Sequence, residues 1–269
     1  MKMFDNHVHQ LSDADDIELF RAHLKETGHE GAMLLSLPPG FTNEKGRKLE
    51  WKERLESVLA YYEAYPEIVP FFHVEPTDAD ISRQIDQAAS RGIRGFKAIP
   101  ISYDPSDPAC LKVWEQIAET GRPLTFHTGI LIGPAASEYC RPMHFEALLQ
   151  VPRLKFSMAH ASWPWIDEFI GILTKWNNCR LQGKTTAELY CDMTPGVKGY
   201  ARLEAFRKLY SCEVDITERI MYGTDLRTNY PVDRGRELVE KDLAIFKEMG
   251  LPEDLQEKYF SLNMLKYTE

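Results

Sequence analysis

The segment MFDNHVH, residues 3–9, begins with apolar side chains and ends in two histidines. It is the first of eight short apolar runs along the 269-residue chain. The other runs are residues 31–37, 69–76, 95–100, 124–129, 155–162, 188–195 and 220–226. Several runs are almost continuously apolar, which is typical of parallel strands that are buried on both faces.

Longer segments with helical periodicity separate these runs. Segments 15–28, 78–92 and 107–121 each end at a glycine, a residue that commonly terminates helices. Segments 51–66 and 165–178 have the same character, and 232–250 and 251–265 follow the last run. This alternation predicts an α/β fold, a single-domain (β/α)8 TIM barrel over residues 1–269 with additional C-terminal helices. No glycine-rich phosphate-binding turn follows a run, which argues against an open nucleotide-binding sheet.

The composition restricts the partners and the compartment. A net charge of -9 disfavours binding to nucleic acid or to an acidic membrane surface, because both would repel the chain. Five widely spaced cysteines without a CxxC pair predict a reduced, cytoplasmic protein. No signal peptide or membrane-spanning run is evident. We expect the partner to be a small-molecule substrate.

The two histidines of the first run predict a metal site. His7 and His9 are two residues apart, so on a strand both side chains point to one face. In a TIM barrel the functional residues lie at the carboxyl ends of the strands, where these histidines fall. Two imidazoles there can bind one divalent metal ion. Alternatively, they are hydrogen-bonded histidines at the end of an ordinary strand.

Three later runs end in side chains that complete such a site. His127 ends the fifth run and would supply a third imidazole ligand. Asp225 ends the last run, next to the first across the barrel seam, and could bind the metal and accept a proton from water. His160 ends the sixth run, close enough to contact that water or a substrate oxygen. Together these residues indicate a metal centre more strongly than the HVH pair alone.

Lys97, late in the fourth run, needs a partner because burying a lone ammonium is unfavourable. The partner could be a substrate carboxylate or phosphate. Alternatively, carbamylation could turn the lysine into a ligand for a second metal ion. A third interpretation is an ion pair with Glu75 on the neighbouring strand.

Further candidates lie in the loops that follow the strands. Arg141 and Arg227 could each bind a substrate carboxylate through two hydrogen bonds, or could be solvated surface residues. Trp163 and Trp165 could form the wall of an apolar pocket or pack a helix onto the barrel.

The segments DNHVH, GFKAIP, FHTG, KFSMAHAS and YGTD, in this order, resemble the amidohydrolase superfamily, specifically its amidohydrolase-2 branch of TIM-barrel metal-dependent hydrolases and decarboxylases. NMLKY resembles the closing helix of that branch. The resemblance implies a mononuclear Zn²⁺-type centre held by His7, His9, His127 and Asp225. Related members with two metal ions use a carbamylated lysine, so Lys97 leaves a second ion open. Members are often dimers, which implies a homodimer.

The expected activity is metal-dependent hydrolysis of a small lactone, ester or amide that also bears a carboxylate. Asp225 would take the proton of the attacking water and deliver it to the leaving group, while His160 would orient the water or stabilise the oxyanion. One alternative is non-oxidative decarboxylation of an aromatic or unsaturated acid, with His160 and Asp225 as acid–base groups. Another is a barrel that binds a metal without catalysis.

Overall fold

The computed structural model describes residues 1–195 and 200–269 and has an α/β fold. Its centre is one curled sheet of nine strands, and every pair of neighbours is parallel. The strands are β1 (Phe4–His9), β2 (Gly31–Leu35), β3 (Ile68–His73), β4 (Gly95–Ala98), β5 (Leu124–Phe126), β6 (Lys155–Met158), β7 (Glu188–Asp192), β8 (Ile220–Met221) and β9 (Leu226–Arg227).

Helices connect the strands and cover the outside of the sheet. They are α1 (Ile17–Glu26), α2 (Trp51–Ala64), α3 (Ile81–Ser90), α4 (Pro108–Glu119), α5 (Ile166–Leu181), α6 (Tyr200–Ser211), α7 (Val232–Met249), α8 (Glu253–Glu257) and α9 (Asn263–Thr268). Short 3₁₀ segments, Glu138–Cys140 and Pro142–Gln150, fill the β5–β6 connection. Within the described ranges, no helix combines the length and apolar character needed to cross a membrane.

The sheet curls back on itself through one stretch of chain. The strand order runs from β8 through β7 to β1 and ends at β9, so residues 220–227 supply both ends. The amide of Asn6 on β1 donates to the carbonyl of Tyr222 at 3.1 Å, and the amide of Asp225 donates to the carbonyl of His7 at 2.8 Å. These backbone hydrogen bonds join β1 to the last stretch of the sheet.

The predicted eighth strand, 220–226, is interrupted and forms two short strands, β8 and β9. Asp225 has a φ of 54°, a left-handed conformation that a strand cannot contain. At Gly223 an added Cβ would lie 2.6 Å from the Thr194 side chain and 2.9 Å from the His7 side chain. The strand therefore breaks where the chain passes closest to His7. Helix α6, between β7 and β8, was also not predicted.

The inside of the barrel is filled below the histidines. An inner cluster contains Phe71, Tyr190, Met221, Met264 and Tyr267, and Phe4 packs against it three residues before His7. Met264 and Tyr267 belong to α9, so the predicted closing helix plugs the barrel. Apolar residues elsewhere pack between the sheet and the helices in a second, larger cluster. In barrels of this type the functional site lies at the carboxyl ends of the strands, above this packed interior.

Candidate active site

The predicted site residues meet at the carboxyl ends of the strands. His7 and His9 lie on β1, His127 directly follows β5, and Asp225 lies between β8 and β9. His160 lies in the 3₁₀ turn Ala159–Ser162 and has a φ of 59°. Left-handed conformations at non-glycine residues cost about 1–3 kcal/mol and concentrate at functional sites. Both His160 and Asp225 adopt one, and both are predicted site residues.

Asp225 is the centre of the cluster. Its Oδ1 lies 3.1 Å from Nε2 of His9 and 3.6 Å from Nε2 of His7. Potential ligand atoms of His7, His160 and Asp225 all lie within 4.8 Å of one another. His127 reaches this group through His160, whose Nε2 is 3.1 Å from Nδ1 of His127. The structure thus brings together all five side chains, with His160 closer to the centre than His127.

Asp192 and Thr194 support the site, although the sequence pattern assigned them no role beyond their place in the seventh run. Oδ2 of Asp192 lies 3.1 Å from Nδ1 of His7. Its Oδ1 accepts hydrogen bonds from the amide of His160 at 2.9 Å and the hydroxyl of Thr194 at 2.6 Å. One carboxylate therefore holds both His7 and His160 in place. In the sequence, the only indication of a role for Asp192 and Thr194 is their position at the end of the seventh apolar run.

The hydrogen bonds determine which imidazole nitrogens carry protons. The Thr194 hydroxyl donates its single hydrogen to Asp192, so at 2.5 Å it accepts from Nδ1–H of His160. Nε2 of His160 then accepts from Nδ1–H of His127. Because Asp192 only accepts, Nδ1–H of His7 donates to it. Nε2 of both His7 and His127 is left with a free lone pair.

These free nitrogens fit a divalent metal ion. Nε2 of His7 and Nε2 of His127 are buried and have no hydrogen-bond partner in the described part of the chain. A ligating histidine usually donates its other ring N–H to a carboxylate, as His7 does to Asp192. Imidazole nitrogens with a carboxylate oxygen form a donor set that suits Zn²⁺.

The electrostatics keep the donors in the states that bind a cation. Burial lowers the pKa of His7 to about 4, and the charge of Lys97 adds to this effect. Burial also lowers the pKa of His127 and of His160 below the ordinary range. For Asp225, burial alone would raise the pKa, but the His9 hydrogen bond and the neighbouring histidines hold it well below its usual range. At neutral pH His7, His127 and His160 are therefore neutral imidazoles beside an ionised carboxylate.

Lys97 is completely buried, and its Nζ has no hydrogen-bond partner among the described residues. Burial lowers its pKa to about 8, against the opposing charges of Asp192 and Asp225. The ion pair with Glu75 considered from the sequence does not form, because the Glu75 carboxylate instead accepts from the Thr77 hydroxyl at 2.9 Å. Glu75 lies two residues beyond the end of β3, whereas Lys97 lies within β4. Lys97 thus remains available to an anionic group or to modification.

The two predicted arginines lie outside the cluster. Nε of Arg141 donates to both carboxylate oxygens of Glu168, at 2.8 and 2.9 Å, and its guanidinium lies over the ring of Trp165. Arg227 lies on β9 with an exposed side chain. Their substrate-binding roles stay predictions. Trp165 directly precedes α5, and so packs at the start of that helix.

A cavity of about 160 Å³ opens over the cluster. Its polar lining residues are His9, His127, His160 and Asp225. Its apolar lining residues are Ile99, Ile130, Ile132 and Trp163. A small molecule in the cavity would therefore contact both potential metal ligands and apolar side chains.

The parallel sheet and the histidine–carboxylate cluster at its carboxyl edge define an α/β protein with a candidate metal centre. A family model described as amidohydrolase (Amidohydro_2) matches residues 50–266. The chain belongs to this amidohydrolase family, which confirms the resemblance found in the sequence. The match includes His127, His160 and Asp225 but begins after His7 and His9.

Solved structures confirm the fold at low sequence identity. An uncharacterised TIM-barrel protein from Bordetella bronchiseptica has a TM-score of 0.71 and 18% identity, over 100% of this chain and 99% of that one. A zinc-bound amidohydrolase from Burkholderia multivorans has a TM-score of 0.64 and 12% identity, over 100% and 99%. Amidohydrolase 2 from Bifidobacterium longum subsp. infantis has a TM-score of 0.59 and 14% identity, over 100% and 98%. Nothing among the curated proteins matches the chain.

Proposed function

We propose that the protein is a metal-dependent hydrolase that opens a small lactone, ester or amide with water. The observation that carries this proposal is the pair of buried, unpartnered nitrogens, Nε2 of His7 and of His127, beside the ionised Asp225 carboxylate. We also interpret β8 and β9 as two halves of one interrupted strand, which makes the fold a (β/α)8 barrel.

Zn²⁺ is the proposed cofactor, held by His7, His9, His127 and Asp225, with His160 beside it. The nitrogen and oxygen donor set and the zinc in the Burkholderia multivorans relative support this choice. When bound, such an ion lowers the pKa of a water molecule toward about 7 and polarises a carbonyl group. The remaining chemistry is assigned to the side chains of this chain.

Asp225 is the proposed general base. Its ionised carboxylate accepts the proton of the attacking water and later passes it to the leaving oxygen or nitrogen. His160 orients that water through Nε2 once His127 turns to bind the metal ion and releases this nitrogen, because Nδ1–H of His160 stays donated to Thr194. This assignment selects the first of the two roles expected for His160. Lys97, which does not line the cavity, adds positive charge from inside the barrel and so helps to lower the pKa of His7, His127 and His160.

The experiment is a reaction panel with zinc-loaded protein. Lactones, aryl esters and amides are tested for acid release by pH-stat, and hydroxybenzoates are tested for release of CO₂. The proposal predicts hydrolysis of at least one carbonyl compound and its loss in Asp225→Asn. Release of CO₂ without hydrolysis of any panel member would overturn it and favour the decarboxylase alternative.

A further inference from the structure

The lining of the cavity includes exposed apolar side chains. Ile99, Ile130, Ile132 and Trp163, here called the apolar wall, come from the loops after β4, β5 and β6. Ile130 is 39% exposed and Ile132 is 85% exposed. Exposed apolar residues that cluster at a cavity mouth mark a binding surface more often than an accident of folding.

The backbone fixes two loops of this wall against each other. The amide of Ile130 donates to the carbonyl of Trp163 at 3.0 Å, and the amide of Trp163 donates to the carbonyl of His160 at 2.9 Å. Gly129 has a φ of +93°, and an added Cβ would lie 2.3 Å from the Trp163 carbonyl oxygen. The wall is therefore held at a set position relative to His160.

The wall offers no partner for a second charge. Among the described residues that line the cavity, none is an arginine or a lysine. Arg141 is engaged by Glu168, and Arg227 does not line the cavity. A charged group pressed against this wall would lose its hydration without gaining a counter-ion, which is unfavourable.

The volume of the cavity is sufficient for a ring. An enclosed cavity of about 150 Å³ holds one benzene molecule, and this cavity, which is open to solvent, measures about 160 Å³. We infer that the substrate carries one uncharged apolar group of about the size of a six-membered ring next to its reacting carbonyl. Ile130, Ile132 and Trp163 are the specificity-determining residues. This inference rests on the proposed hydrolase function, because it assumes that the histidine side holds the carbonyl.

Three unreactive carboxylates test the inference by calorimetric titration of the zinc-loaded protein. Benzoate carries the ring, acetate lacks it, and terephthalate adds a second charge at the far end of the ring. We expect benzoate to bind at least tenfold more tightly than either of the other two. Equal affinity of benzoate and acetate would overturn the inference, as would failure of benzoate to bind.

A double variant, Ile130→Ser with Ile132→Ser, tests the wall itself. It should weaken benzoate binding at least fivefold and leave acetate binding within twofold. Ile101→Ser is the control, because Ile101 is 48% exposed on the same loop as Ile99 but does not itself line the cavity. An equal loss of benzoate binding in the control would contradict the assignment.

The titration separates this inference from the proposed function, since binding requires no turnover. Selective benzoate binding without hydrolysis of any ester or amide would defeat the proposed function and leave the wall supported. Hydrolysis with equal kcat/KM for ring-bearing, unsubstituted and charged esters would defeat the wall and leave the proposed function supported.

Discussion

Nδ1 of His7 lies 3.1 Å from Oδ2 of Asp192, and this contact turns the free nitrogen of His7 toward the site. The carboxylate can only accept, so Nδ1 must carry the proton and Nε2 must carry the lone pair. The same carboxylate accepts from the His160 amide and from Thr194. Asp192 therefore sets the protonation pattern of the cluster without entering the cavity.

Asp192→Asn should weaken zinc binding, because an amide can present a donor to His7 and favour the wrong tautomer. Loss of such a supporting contact typically lowers metal affinity by about 10–100-fold. The measurement is competition with a chelator of known affinity. Asp167→Asn, an exposed substitution on α5, should leave the affinity unchanged. Wild-type zinc affinity in Asp192→Asn would contradict this role.

Thr194→Val should change the tautomer of His160, because valine cannot accept from Nδ1–H. We expect a loss of activity of roughly tenfold, which is less than the contribution of about 10²–10⁴-fold from a complete acid–base group, because the imidazole itself is retained. Thr194→Ser retains the hydroxyl and should keep activity within twofold. The ¹⁵N chemical shifts of His160 report the tautomer directly. Unchanged shifts in Thr194→Val would show that Thr194 has no such effect.

The sequence predicted much of this arrangement, because strand ends in a parallel barrel must converge. His7, His9, His127, His160 and Asp225 were all found from their places at the ends of apolar runs. What could not be predicted depends on contacts between distant residues. The hydrogen bond between Thr194 and His160 spans 34 residues, and no local pattern specifies it.

Other differences have equally physical causes. The break in the last strand follows from the left-handed Asp225, whose backbone conformation lies outside the strand region. Side-chain partners are likewise set by packing. Lys97 was given Glu75 as one potential partner because the strands are neighbours, yet the two side chains do not pair.

His29 should make the stability of the fold depend on pH. Burial lowers its pKa to about 4, compared with 6.5 for the free side chain. Between these values the unfolded chain binds a proton that the folded chain does not, so stability falls as pH falls from 6.5 to 4. The difference amounts to about 3 kcal/mol. His29→Asn should reduce the slope of the unfolding free energy against pH, measured by urea titration between pH 4 and 6.5, by the equivalent of up to one bound proton. An unchanged slope would contradict the prediction.

The buried ion pair of Arg202 and Asp242 should be sensitive to removal of one partner. Nε and Nη2 of Arg202 each donate to the Asp242 carboxylate at 2.6 Å, and Tyr259 donates to the same carboxylate at 2.7 Å. Arg202→Met leaves a buried charge without its counter-ion, which should cost about 3–5 kcal/mol of unfolding free energy.

The exposed pair of Lys208 and Asp167 provides the control for that measurement. Lys208→Met should change the unfolding free energy by less than about 1 kcal/mol. Denaturant titration of both variants gives the comparison. Equal stability of the two variants would argue against a structural role for the buried pair.

The central claim is that the histidine–carboxylate cluster holds a metal ion. Its most direct test is anomalous diffraction at the zinc absorption edge from crystals of zinc-reconstituted protein. The account predicts a peak at about 2.0–2.1 Å from Nε2 of His7, with Asp225 among its other ligands. Absence of an anomalous peak beside His7 and Asp225 in fully reconstituted crystals would contradict it.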